Sequence, residues 1–160
     1  MKTLIVFYSR SGCTRNVAES LAAKLGADTE EIIDTKNRAG ALGYIAAGKD
    51  AALKKPADIQ PTTKNPADYD MVIIGTPVWA FTVACAVRTW MTQHAADIKQ
   101  TAFFCTMGGS GDDRTFNEME KLAGQRPQAV MSLLDKDIKA GRHQTAIENF
   151  TKDLQVAVGQ

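Results

Sequence analysis

TLIVFYSRSGCT, residues 3–14, decides how this chain folds. Its first half, Thr3–Tyr8, is an unbroken run of β-branched, aliphatic and aromatic residues, a pattern typical of a parallel strand buried on both faces. A polar loop ends this strand. Apolar residues then recur at helical spacing from Thr14 to Leu25, and Gly26 stands where a glycine commonly ends a helix. The stretch therefore predicts a buried strand, a polar loop and an amphipathic helix in succession.

The same alternation continues along the rest of the chain. Further apolar runs predict strands, and the segments between them predict helices; the strands are 29–34, 71–75, 101–106 and 128–134, and the helices are 39–55, 86–96, one around Phe116, and 145–158. Alternating strands and helices are typical of an α/β fold with a parallel sheet and helices on both faces. We therefore expect residues 1–160 to form a single domain. The proline-containing segment 56–68 is an extended connector in a surface excursion, residues 36–68.

Charge and length exclude several function classes. The 160 residues carry a formal net charge of +1, which does not favour nucleic acid or an anionic membrane as a partner. No apolar run approaches the roughly 20 residues that span a bilayer. The apolar run at the start is shorter than the h-region of a signal peptide, and no cleavage site follows it. We therefore expect neither nucleic-acid binding nor membrane insertion.

The cysteines and histidines indicate a reducing compartment and no metal. Cys13, Cys85 and Cys105 are odd in number, widely spaced and contain no CxxC pair, which is typical of a reduced protein. His94 and His143 lie far apart, with no second ligand at metal-binding spacing. We expect a cytoplasmic protein without a histidine-based metal site, in which Cys85 and Cys105 are buried and Cys13 is a packing residue.

Three polar or glycine-rich loops, 9–14, 76–82 and 107–113, each follow a predicted strand. Open α/β sheets bind ligands at the carboxyl ends of their strands. The first of these loops combines hydroxyls at Ser9, Ser11 and Thr14 with a glycine and a helix start, which is the combination that binds a phosphate. A simple strand-to-helix turn with a Ser/Thr cap is the alternative.

These three loops resemble those of the flavodoxin family. The pattern [ST]-x-[ST]-G-x-[ST] of Ser9–Thr14 is similar to the flavodoxin loop that binds the phosphate of FMN. Gly75–Trp79 and Phe104–Gly111 are similar to the two loops that contact the flavin, and they occur in the same order and spacing. The resemblance spans essentially the whole chain and lacks the insertion of long-chain flavodoxins. It implies a doubly wound five-stranded parallel sheet with strand order 2-1-3-4-5, and non-covalently bound FMN.

The resemblance also implies which residues bind the cofactor. The phosphate would be held by Ser9, Ser11, Gly12, Thr14 and the backbone N–H groups of Arg10 and Cys13. The ribityl chain and the isoalloxazine would be bordered by Thr76, Pro77, Val78, Trp79, Thr106, Met107, Gly108, Gly109 and Gly111. Trp79 is a candidate for stacking on the flavin, or else an aromatic at the edge of the core. No side chain needs to act as a general acid or base.

Departures from the family pattern leave the role of the flavin open. Ala80 follows Trp79 where many flavodoxins carry a glycine, the third loop has no aromatic residue before Phe116, and the net charge is not strongly acidic. One hypothesis is an electron carrier between redox partner proteins. The other is an NAD(P)H-dependent FMN or quinone reductase with an open flavin face. A flavodoxin-like module without a cofactor is a third hypothesis.

Other phosphate-binding classes fit the residues less well. A low-molecular-weight phosphatase or an arsenate reductase would need an arginine six positions after Cys13, where this chain has Glu19. A response-regulator receiver would need acidic residues after the first strand. Residues 43–50 nearly match a P-loop but end in Asp50 and follow no strand; we expect a helix there. The excursion 36–68 could pack over the flavin or form a partner surface.

Overall fold

Strand β1 is buried at all five of its positions, as its apolar run predicts. The structure, a computed structural model, describes residues 1–159. Its strands are β1 Thr3–Phe7, β2 Asp28–Glu31, β3 Met71–Trp79, β4 Thr82–Val83, β5 Thr101–Met107 and β6 Val130–Leu134. Five of them pair in parallel in the order β2-β1-β3-β5-β6. This confirms the predicted doubly wound sheet and its order 2-1-3-4-5, because β4 pairs only with β3.

The third strand is longer than predicted. The sequence predicts a strand over 71–75 and a loop over 76–82, but β3 continues to Trp79, because Thr76 and Pro77 pair with β5 and Val78 and Trp79 pair with β4. The chain then folds back into β4, which pairs antiparallel with the end of β3. The sheet therefore gains a short sixth strand beside its carboxyl edge.

Helices cover both faces of the sheet. They are α1 Cys13–Leu25, α2 Gly40–Ala52, α3 Cys85–His94, α4 Asp112–Ala123, α5 Asp135–Lys139 and α6 Gln144–Ala157. Buried side chains of α2, α3 and α4 pack with Leu4, Val72 and Phe103 on one face. Those of α1, α5 and α6 pack with Ile5 and Phe104 on the other. The alternating strand positions thus form two hydrophobic cores, one on each side of the sheet.

Helix starts and ends differ in part from the sequence prediction. Gly26 ends α1 in a left-handed conformation, as predicted. At α4, Gly111 rather than Asp112 or Asp113 occupies the cap position, and no side chain caps the helix. Both aspartates instead lie in the first turn, where the helix dipole favours a negative charge. The short helix α5 was not predicted.

An ion-pair network holds the excursion against the sheet. Arg38 is only 5% exposed, and its guanidinium donates to Asp34 at 2.7 Å and to Asp50 of α2 at 3.0 Å. Lys36 adds a 2.9 Å contact to Asp50. Hydrogen bonds from Lys36 and Arg38 hold the pKa of the Asp50 carboxyl below its ordinary value. The network thereby ties α2 to the end of β2.

Two further observations concern metals and membranes. No helix within residues 1–159 is both long enough and apolar enough to cross a membrane. The same residues hold no group of three or more His, Cys, Asp or Glu side chains that could ligate a metal ion. Cys13, Cys85 and Cys105 are free and buried, which confirms the predicted burial of the last two.

We expect Gly75→Ala to destabilise the fold, because the Phe104 ring lies against the Gly75 backbone. A Cβ built on Gly75 would lie 2.1 Å from Cζ of Phe104. Overpacking of this kind costs about 1–3 kcal/mol, measurable as a lower free energy of unfolding in urea. Gly48→Ala is the control, since a Cβ there meets no atom within 4 Å. It is expected to stabilise its helix by about 0.5–1 kcal/mol. Equal stability of the two variants would contradict this packing.

We expect Arg38→Met to lower the free energy of unfolding by about 3–5 kcal/mol, because it leaves the buried Asp34 carboxylate without its partner. The Asp34 side chain is only 2% exposed. Arg15→Met is the matched control: its ion pair with Glu31 has side chains 44% and 28% exposed, so its loss is expected to cost less than about 1 kcal/mol. Similar losses in urea denaturation would show that the Arg38 network does not hold the excursion.

Candidate functional site

The first loop is shaped by Ser9 and Gly12. Gly12 adopts φ 100° immediately before α1 begins, a backbone conformation that favours glycine. The Ser9 hydroxyl accepts hydrogen bonds from the N–H groups of Gly12 at 3.1 Å and Arg15 at 3.2 Å. A serine hydroxyl can accept twice and still donate its proton. Ser9 therefore closes the loop and keeps a donor for a ligand.

The N-terminus of α1 points into the same loop. The N–H groups of Cys13 and Thr14, at its first two positions, have no intrahelical acceptor. The Cys13 side chain is buried, so only its backbone can serve a ligand. Together with the positive end of the helix dipole, these N–H groups favour an anion.

A hydroxyl pair joins the first and third loops. The Oγ1 atoms of Thr14 and Thr106 lie 2.8 Å apart, and both residues are buried. Either hydroxyl can be the donor, which leaves the other with a proton to donate elsewhere. The pair connects the first turn of α1 to the end of β5, across 92 residues of sequence.

A cavity of about 100 Å³ lies between the three loops. Among its lining residues, those predicted from the sequence are Arg10, Ser11, Thr14, Pro77, Val78, Trp79, Thr106 and Gly108. Two more, Tyr44 of α2 and Asp135 at the start of α5, were missed. Asp135 directly follows the last strand, and the rule that ligands bind at the carboxyl ends of strands could have found it. No local pattern pointed to Tyr44.

Other predicted residues support the site without lining this cavity. Thr76 is fully buried; its hydroxyl donates to the carbonyl of Pro77 at 2.8 Å and accepts from the N–H of Ala84 at 3.1 Å. Ser9 faces a neighbouring groove at the end of β2. The remaining predicted residues outside the cavity lining are Gly12, Cys13, Met107, Gly109 and Gly111. Thr76 thus positions the backbone at the end of β3.

Gly111 holds the second loop in place. Its φ is 110°, and a Cβ on it would lie 2.9 Å from Cγ1 of Val78 and 3.0 Å from Cα of Phe81. The start of α4 therefore packs directly on the turn between β3 and β4. This is a close approach to protein backbone, where the sequence predicted an approach to the flavin edge.

Trp79 belongs both to the core and to the cavity wall. Trp79 is 6% exposed. The centroids of the Tyr8 and Trp79 rings lie 5.3 Å apart in an edge-on arrangement, and the Arg38 guanidinium lies 5.5 Å from the centroid of the Trp79 ring. A cation over a tryptophan ring contributes about 0.5–2 kcal/mol. The two alternatives for Trp79, cofactor contact and edge-of-core aromatic, are thus compatible with one position.

Two aromatic residues flank the first loop on either side. Burial and the nearby Asp34 carboxylate raise the pKa of Tyr8 to about 12, so its phenol stays protonated at neutral pH. Tyr44 is 63% exposed and lies under the Arg10 guanidinium at 5.3 Å. Tyr44 therefore stands at the rim of the cavity.

The turn between β3 and β4 borders a second cavity, which lies next to the first. Ala80 and Phe81 adopt φ 49° and 62°, which is costly for residues other than glycine. A second cavity of about 240 Å³ is lined by Tyr44, Gly48, Val78, Trp79 and Ala80. Both cavities border Tyr44, Val78 and Trp79, so they lie side by side, and we call the two together the loop groove.

Solved flavoproteins share this fold. The chain superposes on a flavoprotein from Lactobacillus acidophilus in complex with FMN with a TM-score of 0.72 and 24% identity, covering 87% of this chain and 97% of that one. A protein of known structure from Bacteroides eggerthii gives a TM-score of 0.71 and 24% identity, covering 91% of this chain and 97% of that one. The two-electron reduced flavodoxin of Megasphaera elsdenii gives 0.60 and 14%, covering 98% and 99%.

The sequence comparison agrees with the fold. No curated protein sequence matches the chain, but a sequence model of the flavodoxin family matches residues 2–153. This match includes the first loop, the end of β3 and the third loop, which meet around one groove. The chain therefore belongs to the flavodoxin family.

Proposed function

We propose that the protein binds FMN non-covalently in the loop groove and transfers electrons through it. The observation that carries this proposal is the convergence of the three loops on one groove that begins at the N-terminus of α1. The groove's two cavities, about 100 and 240 Å³, only together come near the lower end of the roughly 300–1,000 Å³ typical of small-molecule sites. The FMN complex of the Lactobacillus acidophilus flavoprotein supports the choice of cofactor.

The residues at the first loop fit a phosphate. The N–H groups of Cys13 and Thr14 and the hydroxyl of Ser11 can donate to its oxygens. Arg10 adds a cation at the cavity wall. Charge-assisted hydrogen bonds of this kind are about twice as strong as neutral ones. Asp135 lines the same cavity, and its carboxylate repels a second anionic group placed beside it.

The residues farther along the groove fit the flavin ring. Val78 and Trp79 provide an apolar wall, Tyr44 provides an aromatic rim, and Gly48 leaves open space on α2. Bound FMN supplies the electron-transfer chemistry, while the protein binds it, orients it and sets its electrostatic surroundings. The buried side of the groove, around Trp79, keeps water from the cofactor. The free, buried cysteines fit a reducing compartment such as the cytoplasm.

A specific observation favours a second candidate function. The loop groove does not end at Trp79 but remains open to Ala80, and Gly109 and Ser110 of the third loop are exposed and carry no aromatic ring. An open flavin face is what an NAD(P)H-dependent FMN or quinone reductase needs. A carrier between redox partner proteins would instead dock on these partners through its surface. Complementary charge strengthens such docking, and a net charge of +1 contributes little to it.

We expect the purified protein to acquire the absorbance of bound flavin when FMN is added, and Ser11→Glu to weaken binding by about 100-fold or more. The reason is that a carboxylate would face the phosphate, and like charges in contact cost several kcal/mol. Ser11 is exposed, so the fold should persist in circular dichroism. Ser20→Glu, farther along α1, is the control and should retain FMN. A protein that takes up no flavin would refute the proposed function and leave a cofactor-free module.

The ring end of the groove is tested by filling it. Gly48→Leu places a side chain into the open space on α2 and is expected to weaken FMN binding about tenfold or more, as overpacking costs about 1–3 kcal/mol. Gly48→Ala is the control and should retain most of the affinity. Fluorescence titration with FMN measures both. Unchanged affinity in Gly48→Leu, with the fold intact, would place the flavin elsewhere.

A further inference from the structure

A third cavity, of about 350 Å³, lies on the far side of the Ala80–Phe81 turn from the loop groove. Its walls are the end of α2 with Lys54, the turn itself, and one face of α4. That face carries Arg114, Glu118 and Lys121, which lie three and four residues apart and so point the same way. We call this space the basic cavity.

The single carboxylate in the basic cavity is already neutralised. Glu118 accepts from the Arg88 guanidinium at 2.7 Å and from Lys54 at 3.4 Å. Arg88 is 8% exposed and also donates to the hydroxyl of Thr82 at 3.3 Å. The hydrogen bond from Arg88 lowers the pKa of the Glu118 carboxyl. Glu118 therefore stays ionised and its charge is used inside the protein.

The remaining charges of the basic cavity are positive. Within residues 1–159, neither Arg114 nor Lys121 forms an ion pair with an acidic side chain. Both are exposed, with Lys54 on the opposite wall. A concave site of this size with unpaired cations favours a small anion over an uncharged molecule.

The basic cavity lies beside the loop groove, and both border Ala80. Helix α2 lines the loop groove with Tyr44 and Gly48 and the basic cavity with Ala52, and these three residues lie at four-residue spacing on one helix face. A ligand in the basic cavity can thus extend along α2 toward the ring end of the loop groove. Only the Ala80–Phe81 turn separates the two spaces.

We propose that the basic cavity binds the phosphate groups of a nicotinamide dinucleotide, with Arg114 and Lys121 as the binding cations. This proposal rests on the proposed flavin site, because the loop groove then places the nicotinamide end of the ligand beside the flavin. Phosphates match the unpaired cations, whereas a quinone carries no charge for them to bind. The concave shape suits a small molecule better than a protein surface, which needs an extended contact.

The test is calorimetric titration of the full chain, loaded with FMN, with NADP⁺ and separately with inorganic pyrophosphate. The double variant Arg114→Gln, Lys121→Gln is expected to weaken NADP⁺ binding about 10- to 30-fold, because two partly exposed ion pairs are lost. Pyrophosphate binding should weaken as well. The control is the double variant Lys24→Gln, Lys152→Gln. It also removes two positive charges, but from helices on the opposite face of the sheet, and it should retain affinity for both ligands.

Each outcome decides the proposal. No binding of NADP⁺ to the unmodified protein, or equal affinities in the two double variants, would overturn it. Binding of NADP⁺ at unchanged affinity while only pyrophosphate binding is lost would also overturn it, since the dinucleotide would then lie elsewhere. Recovery of affinity by Arg114→Lys in place of Arg114→Gln would support it.

The flavin proposal fails independently of this one. FMN uptake is measured by absorbance before the titrations begin. If no FMN binds, the proposed function is refuted, and the titrations of the FMN-free chain still decide whether the basic cavity binds phosphate groups. If FMN binds but NADP⁺ does not, the proposed function stands and the basic cavity loses its ligand.

Discussion

The parallel hydrogen bonding of β1, β3 and β5 is the constraint on which the rest of the structure depends. Phe7 pairs with Gly75, and Gly75 pairs with Phe104, so these strands reach the carboxyl edge of the sheet at nearly the same level. The loops that follow these three strands therefore lie next to one another at that edge. The hydroxyl pair of Thr14 and Thr106 is a consequence of this register, and so is the groove that begins at the N-terminus of α1.

A second element, the excursion with α2, completes the groove from outside the sheet. The Arg38 network holds α2 in this position, because the Arg38 guanidinium donates hydrogen bonds to the Asp34 and Asp50 carboxylates and also lies near the Trp79 ring. Burying three charges is costly unless each is paired, and here each is. With α2 held in this way, Tyr44 and Gly48 face the end of β3, and the same helix leads on to Lys54 in the basic cavity.

Local charge, more than net charge, distinguishes the two ends of this site. The chain as a whole carries +1, which says little about partners. One end offers helix N–H groups, hydroxyls and Arg10 to an anion, whereas the other offers Arg114 and Lys121, with Glu118 neutralised by Arg88. Between them lies an apolar wall around Trp79. This arrangement of two anion-favouring ends and an apolar middle suits ligands that combine phosphates with planar rings.

The sequence by itself determined the alternation of strands and helices, the strand order implied by the family resemblance, and the position of the first loop before α1, because apolar periodicity and loop chemistry are local. Only the tertiary structure decided that β3 runs on through Thr76 and Pro77, since their pairing partners in β5 lie about thirty residues away. It also decided the left-handed Ala80–Phe81 turn, which local propensity disfavours and which packing against Gly111 supports. Tyr44 and Arg38 reach the site through long-range contacts that no spacing pattern records.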